Sequence, residues 1–131
     1  VARAGWQVRV YERAPQFAEV GAGLQLGPNV TRVLHAWGLA DALRAVAAFP
    51  DRLTVRSAIT GAELGALALG ARSVARYGAP YATVHRADVH RLLLLALRAQ
   101  GGVELDLGRA LAEVSQTARR MSRYRARFDA Q

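Results

Sequence analysis

The sequence predicts a mixed α/β fold, and three observations carry that reading. Short apolar runs with a period of two alternate along the chain with longer runs at helical spacing. Glycine and proline fall between these runs, where turns and helix ends need them. The length of 131 residues fits one domain, and 52% hydrophobic against 21% charged residues gives enough apolar surface for a core. Extended disorder is excluded on the same ground.

The elements follow in order. Val1 to Gly5 reads as the last turn of a helix, with Gly5 as its stop. In Gln7 to Glu12, Val8 and Val10 alternate with Arg9 and Tyr11, which predicts a strand. Ala14 and Pro15 end it, and a loop is expected from Gln16 to Gly27. Pro28 suits a helix start. Val30, Val33, Leu34 and Trp37 then recur at helical spacing up to Gly38. A second helix is expected from Leu39 to Ala48, closed by Pro50.

Leu53 to Arg56 and Glu63 to Leu67 read as strands around a turn at Thr60 and Gly61. Residues 70–80, punctuated by Gly, Ser and Pro, read as a loop, and Tyr81 to His85 as a short strand. A helix is predicted over Ala87 to Gln100, with Asp88 in its first turn where a negative charge suits the dipole. Gly101 and Gly102 stop it. Val103, Leu105 and Leu107 alternate as a strand, and Leu111 to Val114 can form another. From Ser115 onward the pattern breaks. Met121, Tyr124 and Phe128 have the spacing of a short basic helix, without a partner in the rest of the chain.

Composition narrows the chemistry. The absence of cysteine excludes disulfides, thiolate catalysis and cysteine-ligated zinc. The longest pure apolar stretch, Leu92 to Leu97, is far short of the roughly 18 residues of a membrane span. It reads as a helix core face between Arg91 and Arg98. No signal peptide is visible, so a cytoplasmic location is expected. The chain opens at Val1 and not at methionine, so a start further upstream is expected as well. The net charge is +8, and every basic residue is arginine. Residues 1–114 hold thirteen arginines against nine acids, and residues 115–131 hold five against one. Half of the excess therefore sits in the tail.

Few residues stand out as carriers of chemistry. Glu12 is an acid at the end of a strand that follows a helix stop at Gly5. In dinucleotide-binding folds an acid there accepts the ribose hydroxyls of the adenosine half. The bland alternative, a solvated strand-end acid, is the commoner case. The run Gly21, Gly23, Gly27 has the spacing G-x-G-x-x-x-G, one residue longer than the dinucleotide fingerprint. It reads instead as a loop whose backbone approaches a ligand or another strand. Arg86 stands at a strand-to-helix junction, equally suited to a phosphate or flavin-proximal contact and to helix capping. His35, His85 and His90 form no metal-ligand pattern, so no metal is expected. Trp6, Tyr11, Trp37, Tyr77 and Tyr81 are scattered and suit packing better than base stacking.

Together these residues resemble a known family. Five stretches carry the likeness in order: Gly5 to Pro15, Glu19 to Asn29, Leu34 to Leu39, Tyr77 to Tyr81, and His85 to His90. They resemble the FAD-dependent aromatic hydroxylases, in the salicylate and hydroxynicotinate monooxygenase branch of the group A flavoprotein monooxygenases. The resemblance covers about residues 1–114. It implies a partial Rossmann-like FAD-binding domain that lacks the first strand and the substrate-domain sheet. It also implies a reaction in which NADH or NADPH reduces FAD, and the reduced flavin activates oxygen for transfer to a small aromatic substrate.

Carried over residue by residue, the resemblance places Glu12 on the adenosine ribose and Arg13 beside the adenine end. Gln25 falls near the flavin, where some relatives have histidine, and Arg86 on the flavin or its ribityl-phosphate arm. No catalytic residue is expected in this chain. The family's G-x-G-x-x-G would precede Val1, and its later Asp-Gly and Gly-Asp motifs would follow residue 131. The arginine-rich run at residues 115–131 departs from the family pattern, and a non-native or frame-shifted tail is expected there. The chain alone is expected to be inactive. Two other readings have less support: a small nucleic-acid-binding module centred on Arg119 to Arg127, and a non-enzymatic scaffold that pairs with an intact relative.

Overall fold

The computed structural model describes residues 1–17, 21–116 and 124–129. The chain divides into two units, Val1–Ala18 with Leu97–Gln131, and Glu19–Ala96.

The first unit is built on a parallel pair. A 3-10 turn over Ala2–Ala4 ends at Gly5, whose φ of +85° needs a residue without a Cβ. β1 (Val8–Tyr11) then runs parallel to β7 (Val103–Asp106), with Val8 opposite Val103 and Tyr11 opposite Asp106. Arg9 pairs with Glu104 across the two strands, and this side-chain hydrogen bond, with the charge behind it, holds the guanidinium above its ordinary value. The first strand thus finds its neighbour about a hundred residues on, beyond any reach of local pattern.

β8 (Leu111–Gln116) pairs antiparallel with β9 (Tyr124–Phe128). The Tyr11 and Phe128 rings meet at 4.3 Å between centroids, tilted by 41°. Arg127 reaches Glu113 at 3.3 Å. The expected basic helix is therefore corrected: its described part is a strand, and it has a partner. Residues 124 and 128 fit a strand's period of two as well as helical spacing, so the spacing alone could not decide. Met121 lies outside the described residues.

The second unit holds a three-stranded sheet with helices on one face. β2 (Gly23–Leu26) and β3 (Ala47–Ala48) both pair antiparallel with β6 (Ala82–His85), in the order β2-β6-β3. α1 (Pro28–Ala36) starts on proline, and Gly38 follows it at φ +79°. α2 (Ala40–Arg44) is one short turn before β3. Leu26, Leu34, Leu43, Ala82, Val84 and Leu92 form the core cluster, with Leu43 wholly buried.

A hairpin of β4 (Arg52–Arg56) and β5 (Glu63–Ala68) turns at Gly61, as predicted. α3 (Gly70–Tyr77) follows, capped by Gly78 at φ +74°. α4 (Arg86–Gln100) ends at Gly101 and Gly102, both at positive φ. Of the leucine run on α4, Leu92 is buried while Leu95 is 60% exposed, so only part of it is core.

Three expectations are corrected in this unit. The loop expected over Gln16 to Gly27 contains β2, because Leu24 and Leu26 pack inward once the segment pairs with β6. The helix expected from Leu39 to Ala48 ends at Arg44, because Ala47 and Ala48 take the free edge of β6. The loop expected at residues 70–80 contains α3. Its buried Ser73 and its Gly78 cap support a helix that the glycine and serine content concealed.

Candidate functional site

The sheet of the second unit has one apolar face and one open face. Leu24, Leu26, Ala47, Ala82 and Val84 face the helices. The alternation of a pleated strand then places Gly23, Gln25, Thr83, His85 and Ala48 on the opposite face. Gly23, Gln25, His85 and Ala48 are exposed there. A Cβ added to Gly23 would meet nothing within 4 Å, so the surface beside Gln25 is flat and clear.

Arg86 closes one end of this face. It follows β6 directly and opens α4, and its N–H donates to the Ala22 carbonyl at 3.1 Å. Gly21 packs directly on the Arg86 side chain. Gly21 has no positive φ, so the glycine is needed for approach and not for a turn. The sequence left open whether this segment approaches a ligand or another strand; in the structure Gly23 pairs with β6 and Gly21 abuts the first residue of α4. Gln25 lies on β2, and Arg86 opens α4 directly after β6; the β2–β6 register sets where the two stand.

Glu12 and Arg13 belong to the other unit. Glu12 follows β1, and its backbone N–H donates to the Asp106 carbonyl at 2.9 Å. The Arg109 N–H donates to the Glu12 carbonyl at 2.8 Å. The half-buried carboxylate accepts the Ala14 N–H through Oε1 at 2.8 Å. That bond tightens the turn after the strand and fixes the carboxylate. Oε2 remains able to accept a hydroxyl. Arg13 is exposed beside it.

Thr83 and His85 on the open face were not marked from the sequence as neighbours of Gln25. Only the strand pairing reveals it: Gln25 stands opposite Thr83, and Gly23 opposite His85. A period of two through Leu24 and Leu26 was the available signal. No helix among the described residues is long and apolar enough to cross a membrane.

Solved structures share this fold. The crystal structure of the flavin-dependent monooxygenase PieE, in complex with FAD and substrate, matches 88% of this chain and 22% of its own, with a TM-score of 0.69 and 17% identity. That likeness concerns the fold. The sequence relatives go further. The 6-hydroxynicotinate 3-monooxygenase of Bordetella bronchiseptica is 46% identical over 99 residues, which are 76% of this chain and 26% of that protein. The 3-amino-4-hydroxybenzoate 2-monooxygenase of Streptomyces cremeus is 46% identical over 112 residues, 86% of this chain and 28% of that protein. No family model matches the chain. By sequence the chain is similar to monooxygenases of hydroxynicotinate and hydroxybenzoates, and in fold to FAD-dependent monooxygenases; it spans about a quarter of the length of the curated relatives it matches.

Proposed function

We propose that this chain supplies part of the flavin site of an FAD-dependent aromatic hydroxylase. The observation that carries the proposal is the closure of Gly21 over Arg86 at the end of the open face that holds Gly23 and Gln25. The identity to ring hydroxylases over most of the chain supports the same reading.

The residues present suit the parts of FAD in chemical type. A fixed carboxylate with one oxygen to spare, at Glu12, suits the adenosine ribose hydroxyls. Arg13 is the residue for the adenine end. A flat surface with no side chain at Gly23 and an amide at Gln25 suits an isoalloxazine edge. The Arg86 guanidinium, positioned by Gly21 and Ala22, donates to the flavin or to its ribityl-phosphate arm. FAD, reduced by NADH or NADPH, supplies the oxygen activation when bound. The chain's own part is to bind and orient, and no proton-transfer or nucleophilic role falls to it. The substrate class is a small aromatic compound, by analogy with the relatives' names, and the location is cytoplasmic.

The sequence contains no G-x-G-x-x-G run to place a pyrophosphate on a helix N-terminus. The chain alone is therefore expected to lose FAD during gel filtration and to hydroxylate nothing. The test is a chimera in which residues 8–114 replace the matching segment of the Bordetella enzyme. Retained FAD and substrate-dependent NADH oxidation are expected. A folded chimera with empty flavin sites would overturn the proposal.

A further inference from the structure

A second site-like feature lies in the same unit, in a groove of about 610 Å³ between α1, β5 and α3. Arg32 of α1 and Arg72 and Arg76 of α3 line it, with Asn29, Tyr77 and Tyr81. No acidic residue lines it. Several other arginines of this chain find carboxylates: Arg9 with Glu104, Arg44 with Asp41, Arg52 with Glu63, Arg91 with Asp88. Among the described residues none of the three groove arginines has such a partner. Arg72 and Arg76 also stand one helical turn apart, where like charges destabilise a helix. An anion between them relieves that repulsion.

The other walls define what that anion carries. Leu67 of β5 and Leu69, between β5 and α3, present an apolar side, and Leu69 is buried. The Arg76 guanidinium lies 5.4 Å from the Tyr77 ring centre, which orients its planar donors. Asn29 lies in the first turn of α1, where the helix dipole favours negative charge. Three guanidinium groups and a helix start supply more positive charge than one carboxylate can neutralise. A phosphate monoester carries close to two charges on three oxygens and matches them better. The volume exceeds what inorganic phosphate fills and falls in the range of small-molecule sites.

We propose that this groove binds an organic phosphate, with the phosphoryl group among Arg32, Arg72 and Arg76 and the carbon body against Leu67 and Leu69. The groove is distinct from the open face with Gln25, and its occupancy does not depend on the flavin reading.

Isothermal titration of the 131-residue chain with phenyl phosphate at low salt tests it. Binding is expected, at least tenfold weaker in Arg72→Gln/Arg76→Gln and unchanged in Arg98→Gln. It is also expected to survive Arg119→Gln/Arg120→Gln/Arg123→Gln, which removes basic charge from the tail. Inorganic phosphate should bind more weakly and phenol not at all. Full affinity in an Arg32→Gln/Arg72→Gln/Arg76→Gln chain with native circular dichroism would overturn the proposal. So would benzoate binding as tightly as phenyl phosphate, or binding by the unaltered chain that is insensitive to added salt.

Discussion

A Cβ placed on Gly21 would stand 2.7 Å from the Arg86 Cβ and 2.8 Å from its Nε. The nearer of these atoms is fixed to the backbone of α4 and cannot swing aside. Gly21→Ala therefore forces either β2 away from β6 or α4 out of place. Overpacking of this kind costs about 1–3 kcal/mol. Urea unfolding should show that loss. Arg86→Gly removes both clashing atoms, so the double variant Gly21→Ala/Arg86→Gly should lose less than the two single costs added together. Strict additivity would mean that the two residues do not touch.

Thr31 gives a second test. It is fully buried on α1, and its Oγ1 donates to the Pro80 carbonyl at 2.6 Å. That bond ties α1 to the segment between α3 and β6. Thr31→Val keeps the shape but leaves the Pro80 carbonyl without this donor. The expected cost is about 1–3 kcal/mol. Thr31→Ser retains the hydroxyl and should be the milder change. A Thr31→Val chain as stable as the parent would rule out this tie.

Gly78 tests the helix that the sequence concealed. Its φ of +74° caps α3, and a Cβ there would meet no atom within 4 Å. Space is therefore not at issue, only backbone strain. Gly78→Ala should cost about 1–2 kcal/mol through the left-handed conformation alone. If residues 70–80 formed an extended loop, the same substitution would be neutral or slightly stabilising.

The contrast between these elements shows what local sequence can tell. β1, the β4–β5 hairpin, α1 and α4 were legible because alternation, a proline start and glycine stops agree within each segment. β2 was not, because Gly21, Gly23 and Gly27 outweigh two leucines in any local reading. Its strand character comes from pairing with β6, about sixty residues on. β3 was lost for the same reason, since two alanines next to a helix carry no strand signal of their own. In the site, Gln25 was named through the family resemblance, and Arg86 also from its place at a strand-to-helix junction. Their positions at β2 and at the β6–α4 junction depend on the β2–β6 register, which no single stretch encodes.

Glu12 separates the binding role of a residue from its structural one. Its Oε1 holds the Ala14 N–H at 2.8 Å, so the side chain already serves the turn after β1. Glu12→Ala removes that bond and should lower stability by about 1.5–3 kcal/mol, as for hydrogen bonds to charged groups. Glu12→Gln keeps an oxygen for Ala14 and should be nearly as stable as the parent. The two variants then diverge in the chimera with the Bordetella enzyme. If Glu12 accepts ribose hydroxyls, the amide loses the charge that strengthens both bonds, and FAD affinity should fall at least tenfold in Glu12→Gln while the unfolding midpoint barely moves. A purely structural Glu12 gives the opposite pattern: FAD retention would follow stability, lost in Glu12→Ala and intact in Glu12→Gln. Flavin fluorescence titration alongside urea unfolding of both variants distinguishes the two, and the second pattern would remove Glu12 from the proposed cofactor site.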